Sequence, residues 1–190
     1  MRKNILSLSI AAMIGGLGLA GGASAGVISD NTTATALEVT PEGIGHILLV
    51  PYYSAQNGNA TLLNIVNTDE INGKVVKVRF RGAANSDDVF DFTLFLSPGD
   101  VWAGQVTENA DTGVAAMNFA DKSCTLPDAV NVKVDFATDR VNPAADVANE
   151  TREGYIEILT MADVPKVMAG ETKDNALYTA IKHVNGVAPC

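Results

Sequence analysis

The side chains that could perform chemistry in this chain are few, and they are far apart in sequence. His46 and His183 are the only imidazole groups, and no serine-nucleophile motif of the form Gly-x-Ser-x-Gly occurs. General-base catalysis needs a nucleophile and an orienting group beside the base. We therefore expect both histidines to be structural or surface residues, and the sequence favours a non-catalytic protein over a hydrolase.

Acidic side chains offer a weak metal candidate. Asp87 and Asp88, followed by Asp91, could bring oxygen ligands to a calcium ion, which takes six to eight of them. The order of residues does not match a twelve-residue EF-hand loop, and neighbouring loop acids are ordinarily solvated turn residues. No bound metal and no cofactor are predicted; these three residues are kept as calcium candidates.

Aromatic side chains could form a binding platform. Tyr52 and Tyr53 are adjacent in a predicted strand, and Trp102 is the one tryptophan of the chain. Exposed together, they could stack on a glycan or contact a protein partner. Packing in the core or at a sheet edge is the alternative, since aromatic residues in strands mostly serve that purpose.

The chain contains two cysteines, Cys124 and Cys190. In an oxidising compartment they predict one disulfide bond, because only one intramolecular pairing exists. Two free thiols, or a bond from Cys190 to another chain, are the alternatives. Two cysteines and two distant histidines do not have the spacing of a zinc site.

The first 25 residues have the pattern of a secretory signal peptide. Arg2 and Lys3 precede an uncharged, mostly apolar stretch at residues 5–20, and Ala23-Ser24-Ala25 forms an A-x-A site that predicts cleavage before Gly26. A membrane anchor would need about 20 predominantly apolar residues. We therefore expect an exported protein in the periplasm, outside the cell or on its surface. Residues 26–35 are predicted to form an extended leader.

The chain is acidic. It has 13 Lys and Arg against 22 Asp and Glu, a net charge of −9, which becomes −11 without Arg2 and Lys3. This charge opposes binding to nucleic acid or to an anionic membrane, because both require basic side chains. After the signal no second apolar segment of spanning length occurs, so no membrane span is predicted in the mature protein.

Alternating hydrophobic residues predict a series of short strands in residues 36–190. The clearest cover residues 74–80 and 88–96, where apolar and polar side chains alternate with a period of two. Asn57-Gly58 predicts a hairpin turn that joins residues 47–53 to residues 60–67. Further strands are predicted at 101–107, 130–136 and 154–161, with loops at 109–127 and 142–153.

One helix is predicted near the carboxyl end, at residues 175–185. Leu177, Ala180, Ile181 and Val184 follow helical spacing, with Asp174 as the amino-terminal cap. Short strands followed by one late helix indicate a single mainly β domain, because a parallel sheet would need helices between its strands. The predicted fold is an antiparallel immunoglobulin-like β-sandwich with one short amphipathic helix.

Several sequence blocks occur in an order that resembles a group of exported bacterial proteins. The blocks are Leu48-Leu49-Val50-Pro51-Tyr52-Tyr53, Asn64-Ile65-Val66-Asn67-Thr68, Val76-Lys77-Val78-Arg79-Phe80-Arg81, Asp91-Phe92-Thr93-Leu94-Phe95-Leu96-Ser97-Pro98-Gly99-Asp100-Val101-Trp102 and Gly154-Tyr155-Ile156-Glu157-Ile158. From about Gly45 to Cys190 the chain is similar to this group, which is loosely labelled cell-surface proteins. The resemblance implies export and a β-rich region, and it implies no activity or site residue. Group members tend to continue well past the position of Cys190, so we expect this chain to be either a natural short version or a truncated one.

The sequence therefore predicts an exported or cell-surface protein with a structural, adhesive or assembly role. Unpaired edge strands would allow self-association or contact with other surface proteins. The alternative is a secreted module that binds a glycan or calcium, and a hydrolase is the third choice.

Overall fold

The computed structural model describes residues 39–40, 43–128, 132–142 and 145–190. Contacts divide the chain into two units, residues 1–45 and 46–190, and all the strands and helices given below belong to the second unit. The predicted signal peptide, residues 1–25, and the predicted leader, residues 26–35, lie outside the described residues.

The second unit consists mainly of strands. The strands are β1 (Ile47–Ser54), β2 (Ala60–Val66), β3 (Gly73–Gly82), β4 (Asp88–Leu96), β5 (Val101–Glu108), β6 (Ala115–Asn118), β7 (Cys124–Leu126), β8 (Val134–Asp135) and β9 (Glu153–Val164). Two short helices, α1 (Val147–Glu150) and α2 (Ala176–Ile181), flank β9 in sequence. The bounds of β4 agree with the prediction, and burial alternates along the strand from Asp91 to Leu96.

These strands form two antiparallel sheets. The first has the order β1-β9-β3-β4-β7, and the second has the order β2-β5-β6-β8. The prediction of a mainly β, antiparallel, sandwich-like fold is confirmed; the immunoglobulin-like label stays a prediction.

Both sheets contribute side chains to one core. Val78 and Phe80 of β3 are buried together with Ile65 of β2 and Trp102 of β5. Alternate residues on these strands face outward, as expected for sheets that are buried on one side. Burial of the shared apolar faces therefore holds the two sheets together.

The predicted hairpin between β1 and β2 is wrong. A 3-10 helix at Gln56–Gly58, with Asn57 at φ 54°, reverses the chain there as its residue types predict. However, β1 pairs with β9 and β2 pairs with β5, so the two strands lie in different sheets. The turn carries the chain across the sandwich.

The two predicted loops contain secondary structure. Residues 109–127 include β6 and β7, and residues 142–153 include α1, whose first turn is capped by the Asp146 side chain. The strand predicted at residues 130–136 is only β8 in the described part of that range. In β6 nearly every residue is buried, so the sequence shows no alternation that could have identified it.

The carboxyl-terminal helix is shorter than predicted. It covers Ala176–Ile181, and Asn175 rather than Asp174 caps it by accepting a hydrogen bond from the N–H of Leu177. Ile181 is the one buried residue of the helix. Val184, which was predicted to share its apolar face, lies beyond the helix and is exposed. Ile181 packs with Val164 beside the disulfide bond.

The predicted disulfide bond is confirmed. Cys124 of β7 and Cys190 are bonded, with their Cα atoms 5.6 Å apart. The bond attaches the last residue of the chain to an edge strand of the first sheet.

Candidate functional site

The three predicted platform aromatics do not share a surface. Tyr53 is 1% exposed and Trp102 is 0% exposed, so both belong to the core, whereas Tyr52 is 58% exposed. The Tyr53 hydroxyl donates to the Thr151 carbonyl at 3.0 Å. Burial, aided by the charge of Glu153, raises the pKa of Tyr53 well above its usual range. The platform prediction is therefore wrong, because strand alternation turns two of its rings inward.

The calcium candidates already have partners within the protein. Asp88 lies 3.8 Å from Arg79, and Asp91 forms an ion pair with Lys77. Asp87 accepts a hydrogen bond from the Asn85 amide in the exposed turn. A cation would have to displace these groups, so the three calcium candidates gain no support.

A surface depression of about 330 Å³ lies beside two of these acids. Asp88, Asp91, Asp135 and Asp139 line it together with Arg140. The Asp135 carboxylate accepts hydrogen bonds from side chains of the segment before β6. Across the described ranges, no group of three or more His, Cys, Asp or Glu side chains has a geometry suited to a metal ion.

The fold brings together a serine, a histidine and an aspartate that are far apart in sequence. Ser97 Oγ lies 3.2 Å from His183 Nδ1, and Asp100 Oδ2 lies 3.4 Å from the same nitrogen. Ser97 and Asp100 belong to the Ser-Pro-Gly-Asp turn between β4 and β5, and Ser123 Oγ also donates to Asp100 at 3.4 Å. No short-range sequence pattern predicts this cluster, because His183 is 86 residues from Ser97.

The geometry of this cluster differs from that of a catalytic triad. In a triad the aspartate and the serine contact opposite nitrogens of the imidazole. Here both contact Nδ1, and Ser97 Oγ itself donates to Asp100 at 3.2 Å. The cluster therefore joins the β4–β5 turn to the segment after α2, and it does not form a chain for proton transfer from Ser97.

A second polar cluster fixes the turn between β2 and β3. Asp69 accepts hydrogen bonds from Lys74 and from the N–H groups of Ile71 and Asn72. Burial alone would raise the pKa of Asp69, but these hydrogen bonds outweigh it and hold the pKa well below its usual range. Lys74 also contacts Asp163 at 2.6 Å, which links the turn to the end of β9.

The most distinctive surface is the outer face of β2 and β5, which we call the neutral face. Leu62 is 72% exposed, Val66 is 53% exposed and Val101 is 52% exposed. Its side chains are all uncharged: Ala60, Leu62, Asn64, Val66, Val101, Ala103, Gln105 and Thr107. Exposed apolar side chains in one patch are characteristic of interaction surfaces.

Beside this face, β2 has a free edge. Asn67 N–H donates to Asp100 O at 2.8 Å, one step beyond the Val66–Val101 pair. Hydrogen-bonded and non-hydrogen-bonded pairs alternate in an antiparallel ladder. Because residue 67 is in a hydrogen-bonded pair, the odd-numbered residues of β2 form the hydrogen bonds to β5. The even-numbered residues direct their N–H and C=O groups away from β5. β2 has no other partner strand in the described part of the chain, and we call this row of groups the β2 edge.

The other three sheet edges carry features that discourage pairing. In β1, Pro51 lacks an N–H group and the register shifts between Val50 and Tyr53. β7 has three residues and β8 has two. Proline, bulges and short length are the usual protections of edge strands. The seven-residue β2, which has neither charge nor proline, has none of them.

The outer face of the first sheet contrasts with the neutral face. Lys77 and Arg81 on β3 alternate with outward acids of the neighbouring strands, including Glu157 of β9, which lies 3.0 Å from Arg81. The Nε atom of Arg79 is buried and has no hydrogen-bond partner among the described residues. Charge is therefore concentrated on one sheet and is absent from the outer face of β2 and β5.

Comparisons with known proteins give no relative for this chain: no family model, no curated protein and no solved structure matches it. Of the helices in the described residues, none is both long and apolar enough to cross a membrane.

Proposed function

We propose that this is an exported, non-catalytic protein whose β domain has an assembly role at the cell surface, and that the β2 edge is its attachment site. The main support for this proposal is that the β2 edge is unprotected and borders the neutral face, which is uncharged and partly apolar. An exposed edge strand can accept an additional strand from a partner through main-chain hydrogen bonds.

Export is supported by two independent features. Residues 1–25 have the charge and hydrophobic pattern of a signal peptide. Disulfide bonds such as Cys124–Cys190 are typical of oxidising compartments outside the cytoplasm. A protein with these two features is expected in the periplasm, outside the cell or on its surface.

Fractionation of the producing cell tests the proposal. The wild-type protein is compared with Leu62→Lys, which places a charge on the β2 edge, and with Gln105→Lys. Gln105 pairs with Leu62 across the strands but lies on β5, away from the edge. The control therefore adds the same charge to the same face while leaving the edge strand unchanged.

We expect wild-type and Gln105→Lys proteins that begin at Gly26 and are retained in the cell-envelope fraction as species larger than a monomer. Leu62→Lys should be released as a smaller species with an unchanged thermal unfolding midpoint, because position 62 is exposed. Identical fractionation of the three proteins would contradict the assembly role. A full-length protein in the cytoplasm would contradict export.

A further inference from the structure

We infer that the partner of the β2 edge is a second copy of this chain, with β2 of one copy pairing antiparallel to β2 of the other around Leu63. This inference rests on the proposed function and names its partner. Such pairing joins the two β2–β5 sheets into one continuous sheet, related by a twofold axis.

The free main-chain groups of β2 have the spacing that this pairing requires. The groups that point away from β5 belong to Ala60, Leu62, Asn64 and Val66. With Leu63 on the axis, residue 62 faces residue 64 of the second copy, and residue 60 faces residue 66. Each facing pair exchanges two hydrogen bonds, so about eight main-chain bonds form.

The β2 edge is a place where two acidic molecules can meet without local charge repulsion. Two copies that each carry a net charge of −9, or −11 without Arg2 and Lys3, repel each other over most of their surfaces. Neither β2 nor its neighbour β5 up to Thr107 has a charged side chain. The proposed contact therefore brings no carboxylate opposite another.

The proposed contact is short. Seven paired residues extend about 24 Å along the strand. This is a small contact compared with the interfaces of stable dimers, which bury about 1,200–2,000 Å². The dimer should therefore form reversibly and depend on concentration, so a covalent trap is the appropriate measurement.

Cysteine substitution on the edge provides that trap. Cys124 and Cys190 are bonded to each other, so an introduced cysteine is the one free thiol. In the proposed register, residues 62 and 64 of opposite copies have Cα atoms about 5.5 Å apart, which a disulfide can bridge. Two copies of residue 62, or two of residue 64, are about 9 Å apart and cannot be bridged.

The experiment mixes purified, natively folded Leu62→Cys and Asn64→Cys proteins under mild oxidation. We expect about tenfold more cross-linked dimer in the mixture than in either variant alone, because only the mixed pair has the required separation. Gln105→Cys, on the same face but one strand inside the edge, is the control and should stay monomeric.

Absence of cross-linked dimer in the mixture would overturn the inference, as would preferential self-linking of either single variant. The outcome also separates this inference from the proposed function. If the mixture does not cross-link while Leu62→Lys still abolishes retention in the cell envelope, the β2 edge binds a different molecule. In that case the assembly role stands and the second copy is excluded.

Discussion

The disulfide bond between Cys124 and Cys190 should make a large contribution to stability, and the double substitution Cys124→Ala with Cys190→Ala measures it. The two residues are 66 positions apart. In the chain-entropy model, closing a loop of that length lowers the entropy of the unfolded chain enough to stabilise the folded protein by about 4 kcal/mol. The closed loop includes β9, which lies between β1 and β3.

Urea unfolding of three samples tests this magnitude. The samples are the oxidised wild type, the reduced wild type and the double alanine variant. We expect the last two to agree within about 1 kcal/mol and to lie about 4 kcal/mol below the oxidised protein, since only the covalent constraint differs. Reduced wild type retains both sulfur atoms, so it controls for the small packing loss at Cys124, which is 8% exposed.

A difference below about 1 kcal/mol between oxidised and reduced protein would refute this reasoning, because the loop constraint would then have little effect on the unfolded chain. Hydrogen exchange should accompany the unfolding curves. Loss of protection confined to residues 176–190 in the reduced protein would show that the bond anchors only the carboxyl-terminal segment.

Three further predictions concern the core and the β2–β3 turn. Gly104→Ala should destabilise the protein by about 2 kcal/mol in urea unfolding, because a Cβ atom there would lie 2.5 Å from the Trp102 ring; unchanged stability would show that the ring can move. Phe92→Asp should abolish folding, seen as lost far-ultraviolet circular dichroism, because it leaves a carboxylate unpaired in the core. Asp69→Asn should cost about 1 kcal/mol at pH 7 through loss of its Lys74 contact. Since the folded-state pKa of Asp69 is lowered, its contribution to the free energy of unfolding is present above about pH 4 and is lost as the pH falls further. The stabilities of wild type and variant should therefore converge in acid. A stability difference that widens in acid would contradict the lowered pKa.

Strands with strong alternation were predictable, and their partners were not. The sequence predicts β4 with its observed bounds because Phe92, Leu94 and Leu96 recur at every second position. Residues 56–58 indicate that the chain turns, but turn chemistry is local and does not specify which sheet receives the next strand. β1 and β9 pair although they are about 100 residues apart in sequence, and no short-range sequence pattern predicts such a pairing.

The candidate surfaces show the same limit. The disulfide was predictable because two cysteines allow one pairing, whereas the cluster of Ser97, Asp100 and His183 depends on how α2 and its following segment dock. The sequence of β2 already lacks charge and proline. The sequence does not show that β2 is an edge strand, because its expected partner, β1, lies in the other sheet.

The position of β9 has a consequence for how the protein is made. β9 is the last strand in sequence, yet it separates β1 from β3, and β1 has no other partner strand in the described residues. A chain that emerges from a ribosome, or crosses a membrane with its amino terminus first, must deliver residues 153–164 before β1 can pair. The first sheet therefore cannot be completed until residues 153–164 are available, and β1 stays without its strand partner while the residues between β1 and β9 are being made.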